Sequence, residues 1–364
     1  MYIKSLTLRN YRKFVKEKFE FDQHITLITG LNAQGKSTIL EAICLLTGGI
    51  GGLAGSNTSE NQDLINYNGK DLVSRIDAEI VNTDGDTDTL SLIIRENRKE
   101  FLYNNKRTRN NRNVASTLFS PEQIELLTVS PSKRRDFLNN IISKIDIEYG
   151  LQLKRYEKIL KHRNSILRKL AKNFYETGVI ESPSKDMDFW TEELAKMCSI
   201  IMQKRSEIIQ LINESQDGFD LVYLPSLTLS QFEDMADIQS LKELHLKEMH
   251  EKYRRDVAIG YTKTGIHRDD WSIVTDKDLK KFGSRGEKRV ALGQLYFRVQ
   301  EILAQKLGFY PVLLLDDISS ELDAYNIDKI FSHEVISKQQ VISTALNIPT
   351  ILKKQKSKKI ISLS

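Results

Sequence analysis

The sequence predicts an α/β protein in which helices alternate with a parallel sheet and a mostly helical second lobe is inserted. Two apolar runs, 311–317 and 339–344, have the composition of strands that are buried on both faces of a parallel sheet. Between residues 119 and 257, apolar residues instead recur every three or four positions, which indicates amphipathic helices. The predicted division is therefore 1–118 with 258–364 as one discontinuous lobe, and 119–257 as a helical arm lobe.

The composition is that of an ordinary globular protein, with 40% hydrophobic and 28% charged residues over a length sufficient for two lobes. The two cysteines, Cys44 and Cys198, are too few and too far apart to suggest a disulfide framework or a metal site. We expect them to be buried thiols in a reducing compartment. Because no run approaches the roughly 18 apolar residues of a membrane span, we expect a cytoplasmic protein without a membrane partner.

The net charge of +5 is modest, but basic residues are concentrated in the segments 95–112, 133–135, 154–172 and 353–359. Basic clusters on a protein of weak overall charge favour nucleic-acid binding on a defined face. The alternative for any one cluster is an ordinary solvated helix surface. The DNA-binding candidates in the insertion are Lys133, Arg134, Arg135, Lys154, Arg155 and Lys161.

The first hundred or so residues are rich in predicted strands. These strands are 2–8, 15–21, 25–29, 76–81, 87–95 and 101–103. One helix is predicted among them, at 38–46. The glycine-rich segment 48–56 predicts a surface loop that connects this helix to the later strands.

A glycine-bearing loop lies between an apolar strand and a helix, which is the context that a phosphate-binding loop requires. Gly30 and Gly35 allow the backbone to curl so that N–H groups converge on a phosphate, and the helix start adds its dipole. Lys36 can reach the β- and γ-phosphates of ATP, and the Ser37 hydroxyl can bind Mg²⁺. The candidate nucleotide-binding residues are Gly30, Leu31, Asn32, Ala33, Gln34, Gly35, Lys36, Ser37 and Thr38.

Two apolar stripes at helical spacing predict an antiparallel helical hairpin in the insertion. The first stripe runs from Leu153 to Phe174 and the second from Phe189 to Leu211, with a break between them. A further helical stretch is expected at 226–252. The insertion is therefore predicted to consist mostly of helices.

The buried strand at 311–317 ends in two carboxylates, Asp316 and Asp317. Ligands of open α/β sheets bind at the carboxyl ends of the strands, so these residues are expected beside the phosphate-binding loop. Asp316 is expected to bind Mg²⁺ together with Ser37. Asp317 is the candidate for positioning or activating the attacking water.

A second glycine-containing loop opens the long helix predicted after residue 282 and offers further backbone N–H groups to an anion. The loop consists of Ser284, Arg285, Gly286 and Glu287. Such a loop is typical of ATP-binding-cassette (ABC) ATPases, in which this signature loop comes from the partner subunit and closes on the γ-phosphate. Ser320 and Asp323 match the dimer-contact loop of that family. We therefore expect a site completed by a second copy of the chain.

Six segments are similar, in order, to those of one more specific family: 8–14, 118–126, 130–138, 156–167, 264–270 and 314–323. Through them the chain resembles the RecF family of bacterial recombination proteins over nearly its whole length. The resemblance implies an ABC-type ATPase lobe, like an SMC head, with an inserted helical lobe. It also implies that Arg12 contacts the nucleotide and that Thr344 takes the place of a switch histidine.

The resemblance implies a DNA replication and repair protein that binds ATP and Mg²⁺ and forms a homodimer around ATP. The dimer would clamp single- and double-stranded DNA at gaps or junctions and release it after weak, DNA-dependent ATP hydrolysis. RecR and RecO would act with it to load RecA in recombinational repair and SOS induction. The chain departs from the family in its signature loop, because Glu287 puts a carboxylate where the family usually has glutamine.

Other classes share the ATPase head. SMC proteins carry hundreds of residues of heptads between its halves, and the insertion here is too short for such an arm. Transporter subunits lack a long helical insertion and need a membrane partner. A short-armed SMC-like ATPase, or another DNA-associated ABC ATPase, remains the alternative.

One further group, His267 with Asp269 and Asp270, has the composition of a metal site. No fourth ligand follows at a usable spacing. We therefore favour a structural or inter-lobe role for these three residues.

Overall fold

The computed structural model divides the chain into two compact units. The described residues are 1–51, 61–66, 68–69, 71–108, 113–215, 218–227, 237–317, 334–346 and 358–363. The first unit comprises Met1–Glu125 and Arg285–Ser364, and the second comprises Leu126–Ser284. The first unit is thus discontinuous in sequence, with the second unit inserted into it.

The described secondary structure mixes strands and helices along the whole chain. The strands are β1 (Tyr2–Tyr11), β2 (Phe14–Glu20), β3 (Ile25–Thr29), β4 (Val73–Val81), β5 (Thr87–Arg95), β6 (Arg98–Tyr103), β7 (Lys106–Thr108), β8 (Ser116–Phe119), β9 (Asp220–Leu224), β10 (Asp270–Val274), β11 (Val312–Leu315), β12 (Val341–Ala345) and β13 (Lys359–Ser362). The helices are α1 (Lys36–Thr47), α2 (Asn61–Leu64), α3 (Glu125–Thr128), α4 (Pro131–Ile145), α5 (Ile147–Thr177), α6 (Lys185–Asn213), α7 (Ile238–Glu251), α8 (Tyr253–Ile259), α9 (Leu279–Phe282), α10 (Arg285–Leu307) and α11 (Glu334–Ser337).

The first unit contains two sheets. An antiparallel sheet has the strand order β2-β1-β4-β5-β6-β7, and a sheet whose described pairings are all parallel has the order β13-β3-β12-β11-β8. Side chains of both sheets and of α1 form one apolar core, which includes Leu6, Ile43 and Leu314. In the parallel sheet, β3, β12 and β11 are neighbours, so their carboxyl ends meet at one edge.

The glycine-rich segment after α1 begins differently from the predicted surface loop. Gly48 ends the helix with a φ of 57°, a left-handed conformation that glycine adopts without a Cβ clash. Ile50 then exchanges backbone hydrogen bonds with strand β8 and is 1% exposed. The start of the segment is therefore packed against the parallel sheet, and residues 52–60 lie outside the described part of the chain.

The second unit is built around the predicted helical hairpin. Helices α5 and α6 run antiparallel, because Arg155 pairs with Glu193 while Arg163, eight residues later, bonds to Thr191, two residues earlier. Helix α5 begins at an Asp146 cap and ends at Gly178. Both helices place an apolar stripe inward, as their spacing predicts.

The second unit is mostly helical, as predicted, but it also contains a short antiparallel sheet that the sequence did not predict. Strand β9 pairs along its whole length with β10, from Asp220–Val274 to Leu224–Asp270. The sequence also predicts residues 258–284 in the first lobe, whereas the structure places them in the second unit. This pairing is the physical reason, because β10 completes a sheet with a strand of the insertion.

A buried polar network shows what His267, Asp269 and Asp270 do. Asp269 accepts hydrogen bonds from Arg205, 3.3 Å away, and from the hydroxyl of Tyr223. His267 shares a 2.5 Å hydrogen bond with the hydroxyl of Tyr156. No cluster of three or more potential His, Cys, Asp or Glu metal ligands occurs among the described residues. These residues hold the second unit together by hydrogen bonds and ion pairs.

Candidate active site

The loop between β3 and α1 curls as its glycines predict. Gly35 has a φ of 91°, and Ala33, with a φ of 65°, also adopts a left-handed conformation. A Cβ on Gly35 would lie 2.7 Å from the ring of Phe14, and Gly30 has a φ of 155°, a conformation that residues with a side chain rarely adopt. Glycine is therefore required at both positions by conformation or by close approach. The loop leads directly into α1, whose first N–H groups have no partner within the helix.

Lys36 is held inside this loop. Its Nζ donates to the carbonyl oxygen of Gly30 at 2.8 Å and to that of Leu31 at 3.0 Å. The residue is 8% exposed, so most of the lysine stem is covered while the ammonium lies across the concave side of the loop. This places a positive charge where the backbone N–H groups converge, which suits a polyphosphate.

Three polar side chains meet at the edge formed by β3, β12 and β11. Asp316 follows the end of β11, and its Oδ1 accepts from Ser37 Oγ at 3.0 Å and from Thr344 Oγ1 at 2.6 Å. The Thr344 hydroxyl in turn accepts a 2.8 Å hydrogen bond from the backbone N–H of Asp317. The parallel register therefore brings together residues that are about 280 positions apart in sequence.

The electrostatics of this group favour a bound cation. Burial raises the pKa of the Asp316 carboxyl, and the charge of Asp317 acts in the same direction, against the opposing effects of Thr344, Ser37 and Lys36. A carboxylate whose ionised form is disfavoured by burial gains most from a neutralising partner.

Mg²⁺ fits the donor atoms present. Hydroxyl and carboxylate oxygens are the hard ligands that Mg²⁺ prefers, and adjacent ligands of an octahedral ion at 2.0–2.1 Å lie about 2.9 Å apart. The Ser37 and Asp316 oxygens are separated by 3.0 Å. One hydroxyl and one carboxylate would leave the remaining positions to water and phosphate oxygens.

Arg12 is held by an acid that the sequence interpretation missed. Its Nη2 donates to Glu41 Oε1 at 2.7 Å and its Nε to Oε2 at 3.1 Å, a two-bond grip from helix α1. These hydrogen bonds raise the pKa of Arg12. The Tyr11 hydroxyl also donates to Glu41, and burial followed by the Glu41 charge raises the pKa of Tyr11. Glu41 lies one helical turn after Ser37, and this spacing could have indicated from the sequence that Glu41 lies near the nucleotide site.

Lys13 is a second residue that the sequence interpretation missed. Its Nζ donates to the carbonyl oxygen of Ala33 at 3.1 Å, and its side chain lies close to Gly35. The turn between β1 and β2 therefore packs directly against the phosphate-binding loop. The adjacent Arg12 was the only hint in the sequence.

The described part of the signature loop lies on the surface. Ser284 ends the second unit, and Arg285, Gly286 and Glu287 form the first turn of α10, all of them exposed. A Cβ on Gly286 would meet no described atom within 4 Å, so packing within the described chain does not require glycine there. The expected dimer-contact residues, Ser320 and Asp323, lie outside the described residues.

The DNA-binding candidates separate into two groups. Lys133, Lys154, Arg155 and Lys161 are exposed, although Arg155 is paired with Glu193 at 2.6 Å. Arg134 is 3% exposed and grips Asp270 with bonds of 2.5 and 3.0 Å, so its assignment as a DNA contact is wrong.

Arg135 is also less available than its place in a basic run predicts. It is half-buried, and its Nη1 donates to the carbonyl oxygen of Asp269 at 2.9 Å. Burial lowers the pKa of Arg135. Both Arg134 and Arg135 are thus tied to the segment that leads into β10.

Comparisons with known proteins agree with this geometry. A family model described as an AAA domain matches residues 5–359. The chain is 30% identical to the DNA replication and repair protein RecF of Alkaliphilus oremlandii (strain OhILAs), covering 95% of this chain and 94% of that protein. It is similar, with a TM-score of 0.82 and 28% identity, to a structure of the recombination mediator protein RecF with ATPrS in the RecFOR pathway, covering 95% and 93% of the two chains. It is also similar to a structure of RecF with ATP from the same pathway. The TM-score is 0.81 and the identity 27%, covering 96% of this chain and 93% of that one.

No helix among the described residues has the length and hydropathy to cross a membrane.

Proposed function

The chain belongs to the RecF family of DNA replication and repair proteins, and on that basis we propose that it is an ATP-dependent DNA clamp that dimerises around bound nucleotide. The predicted fold class is confirmed: an α/β ABC-type ATPase fold, with an inserted and largely helical second unit. RecF structures with ATP and ATPrS are known from relatives at 27–28% identity. ATP is therefore the nucleotide that we propose for this chain.

ATP binding falls to the loop between β3 and α1. Gly30 through Thr38 supply backbone N–H groups to the phosphates, and Lys36 moves its ammonium from the loop carbonyls to the β- and γ-phosphate oxygens. Lys13 lies against the same loop, Arg12 is held by Glu41 of the following helix, and both add positive charge. The exposed Leu31 and Asn32 form the rim of the site.

Hydrolysis needs a positioned water molecule and groups that offset the negative charge of the phosphates. When bound, Mg²⁺ would be held by Ser37 and Asp316 and would offset the negative charge of the phosphates. Asp317 is the proposed group that orients the water for in-line attack. Thr344 fixes both carboxylate residues, because its hydroxyl bonds to the Asp316 side chain and to the Asp317 backbone.

The second half of the site comes from the partner subunit. Ser284, Arg285, Gly286 and Glu287 would close on the γ-phosphate of the opposite chain, and Ser320 with Asp323 would contact the same interface. The exposure of residues 284–287 supports this role. The carboxylate of Glu287 opposes the approach of a phosphate, whereas the neighbouring Arg285 favours it.

DNA would be held by phosphate contacts and not by base reading. Lys133, Lys154, Arg155 and Lys161 are the exposed cations of the second unit that we propose for this purpose. Substrates would be single- and double-stranded DNA at gaps or junctions. Weak, DNA-dependent ATP hydrolysis would open the dimer and release the DNA.

The partners follow from the family. The solved relatives are described as recombination mediators in the RecFOR pathway. We propose RecR as the direct partner, with RecO and RecA downstream in recombinational repair and SOS induction. The cytoplasm, where chromosomal DNA is found in bacteria, is the corresponding compartment.

The observation that carries the proposal is the contact of Asp316 with both Ser37 and Thr344 at the parallel-sheet edge. The test is to size the wild-type chain and the Asp317→Asn variant with and without ATP, and with gapped DNA at two salt concentrations. The wild type should dimerise only with ATP, and the variant should remain dimeric after ATP is diluted, because it binds ATP but hydrolyses it slowly. A variant that stays monomeric at saturating ATP would contradict the shared site.

A further inference from the structure

Three aromatic rings lie together on the outer side of the helical hairpin. His162 of α5 stacks on Trp190 of α6, with ring centroids 4.7 Å apart and planes 11° from parallel. Phe189 meets Trp190 edge to face, with centroids 5.1 Å apart and an angle of 75°. We call these three residues the aromatic cluster. It links the two helices at the solvent-exposed edge of the hairpin, beside the buried stripe, because Trp190 lies one turn before the buried Leu194.

The cluster is exposed in a way that hairpin packing does not explain. Phe189 is 57% exposed, His162 is exposed and Trp190 is half-buried. Since Trp190 covers one face of the imidazole, the exposed part of His162 is its other face and its edge. A single exposed aromatic residue is unremarkable, but three rings joined through Trp190 form an apolar surface with open ring faces.

The charge around the cluster is mainly positive. Exposed lysines lie within about two helical turns of its members along α5 and α6: Lys158, Lys161, Lys169 and Lys185. Two nearby acids are engaged elsewhere, because Glu192 pairs with Lys242 at 2.8 Å and Glu193 with Arg155 at 2.6 Å. The other acids nearby are Glu157 on α5 and Asp186 and Asp188 in the first turn of α6, three against the four lysines.

We propose that the aromatic cluster is a stacking platform for the bases of single-stranded DNA, with the surrounding lysines holding the phosphates. Open ring faces within a basic surface are the arrangement that binds single strands with little sequence preference, because every base has a π-face. Bases of a duplex are already stacked on one another, so the platform favours the single-stranded side of a gap. This inference rests on the proposed function only in that the ligand is DNA.

The test compares two variants of the full chain. Phe189→Leu keeps an apolar side chain at an exposed position and removes the ring. Tyr175→Leu is the matched control, because Tyr175 is 76% exposed on α5 and lies roughly 20 Å along the helix from His162. We expect Phe189→Leu to weaken binding of an oligothymidine about tenfold, which corresponds to about 1.4 kcal/mol. The affinity of Phe189→Leu for a duplex of equal length should stay within twofold of the wild type. The affinities of Tyr175→Leu for both forms of DNA should stay within the same range.

A second readout reports contact directly. The chain has two tryptophans, and Trp271 is fully buried with its indole N–H donating to the Arg134 carbonyl at 2.7 Å. Quenching of tryptophan fluorescence by oligothymidine therefore reports on Trp190. We expect quenching in the wild type and in Tyr175→Leu, and less in Phe189→Leu at equal saturation.

The outcomes separate the two proposals. If duplex binding persists while Phe189→Leu changes neither single-strand affinity nor quenching, the platform is wrong and the clamp stands. If Phe189→Leu weakens single-strand and duplex binding equally, the cluster is a general contact and stacking is excluded. If the wild type binds neither form of DNA, the proposed function itself fails.

Discussion

At the scale of single residues, the candidate active site depends on the hydroxyl of Thr344. It donates to the Asp316 carboxylate at 2.6 Å and accepts from the Asp317 N–H at 2.8 Å. A hydroxyl has one proton to donate, so Thr344 bonds to a single oxygen of Asp316. This bond turns that oxygen toward β12. Ser37 Oγ bonds to the same oxygen, so the oxygen that Thr344 orients is also the one whose distance from Ser37 fits a shared Mg²⁺.

Lys36→Met is the sharpest test of the nucleotide site. We expect ATP affinity to fall at least ~100-fold, since the ammonium makes charge-assisted hydrogen bonds worth roughly 1.5–3 kcal/mol each. The measurement is a titration with a fluorescent ATP analogue, with Lys16→Met as the matched control because Lys16 is exposed on β2, outside the phosphate-binding loop. Affinity for the Lys36 variant within threefold of the wild type would contradict the assignment.

A second prediction concerns the ion pair of Arg12 and Glu41 and its effect on ATP affinity. Glu41 grips the guanidinium with two bonds, so Glu41→Gln should release Arg12 from its fixed orientation while still accepting from Tyr11. We expect each single change, Arg12→Ala or Glu41→Gln, to weaken ATP binding about five- to tenfold. In the double variant the loss should be no larger than in Arg12→Ala alone. Additive losses in this cycle would show that Glu41 does not act through Arg12.

At the scale of elements, patterns within short stretches of sequence were sufficient to predict those strands, loops and helices that do not need a distant partner. Strand β3, the glycine-bearing loop and helix α1 follow from an apolar run, two glycines and helical spacing within about 25 residues. Strand β9 was missed because its partner, β10, lies about 50 residues later, and only that pairing makes a strand of it. Long-range partners of this kind leave no local period in the sequence.

The basic run 133–135 shows the same limit for the candidate DNA interface. Its three cations look equivalent in sequence, yet Lys133 is exposed and Arg134 is buried. What separates them is Asp270, 136 positions away, whose carboxylate pairs with Arg134 in the folded chain. Helical spacing alone could place Arg134 on the inner face of α4, but it could not supply the acid that makes burial of a charge tolerable.

Helix α7 carries a histidine that makes the stability of the second unit depend on pH. His245 is fully buried, and neither ring nitrogen has a hydrogen-bond partner among the described residues. Burial lowers the pKa of His245 to about 4, with the Asp269 charge opposing the shift. Because of this lowered pKa, His245 takes up a proton at a higher pH in the unfolded chain than in the folded one. Stability is therefore complete above about pH 6.5 and declines as the pH falls toward 4.

The prediction is that His245→Leu flattens this decline. Relative to the wild type, the variant should gain about 2 kcal/mol in free energy of unfolding between pH 8 and pH 5. Both tryptophans lie in the second unit, so urea unfolding followed by tryptophan fluorescence reports on that unit. His250→Leu is the matched control, since His250 is exposed on the same helix. Equal pH dependence in His245→Leu and wild type would refute the buried, neutral histidine.

At the scale of the whole molecule, the two units divide the proposed work. The first unit holds the ATP site and part of the signature loop, and the second holds the exposed cations and the aromatic cluster. Ser284 and Arg285 lie on either side of the division, so the loop that would meet the partner's ATP joins the units covalently. ATP binding and DNA binding can be coupled through this loop and the second copy of the chain.

The last prediction concerns how salt affects DNA binding by the proposed dimer. Phosphate contacts release counterions, so the logarithm of the binding constant should fall linearly with the logarithm of salt, by about 0.9 per contact. With ATP present, the double variant Lys154→Gln with Lys161→Gln should lower the magnitude of that slope by about 2, because both cations are exposed on α5.

The control for this measurement is Lys247→Gln, an exposed lysine of α7 outside the proposed contacts. Its slope should match that of the wild type, which separates a local contact from the effect of net charge. If the control reduces the slope as much per charge as the α5 variant does, DNA responds only to overall charge. In that event α5 does not form the phosphate-binding face of the clamp, and the DNA path must follow other cations of the chain.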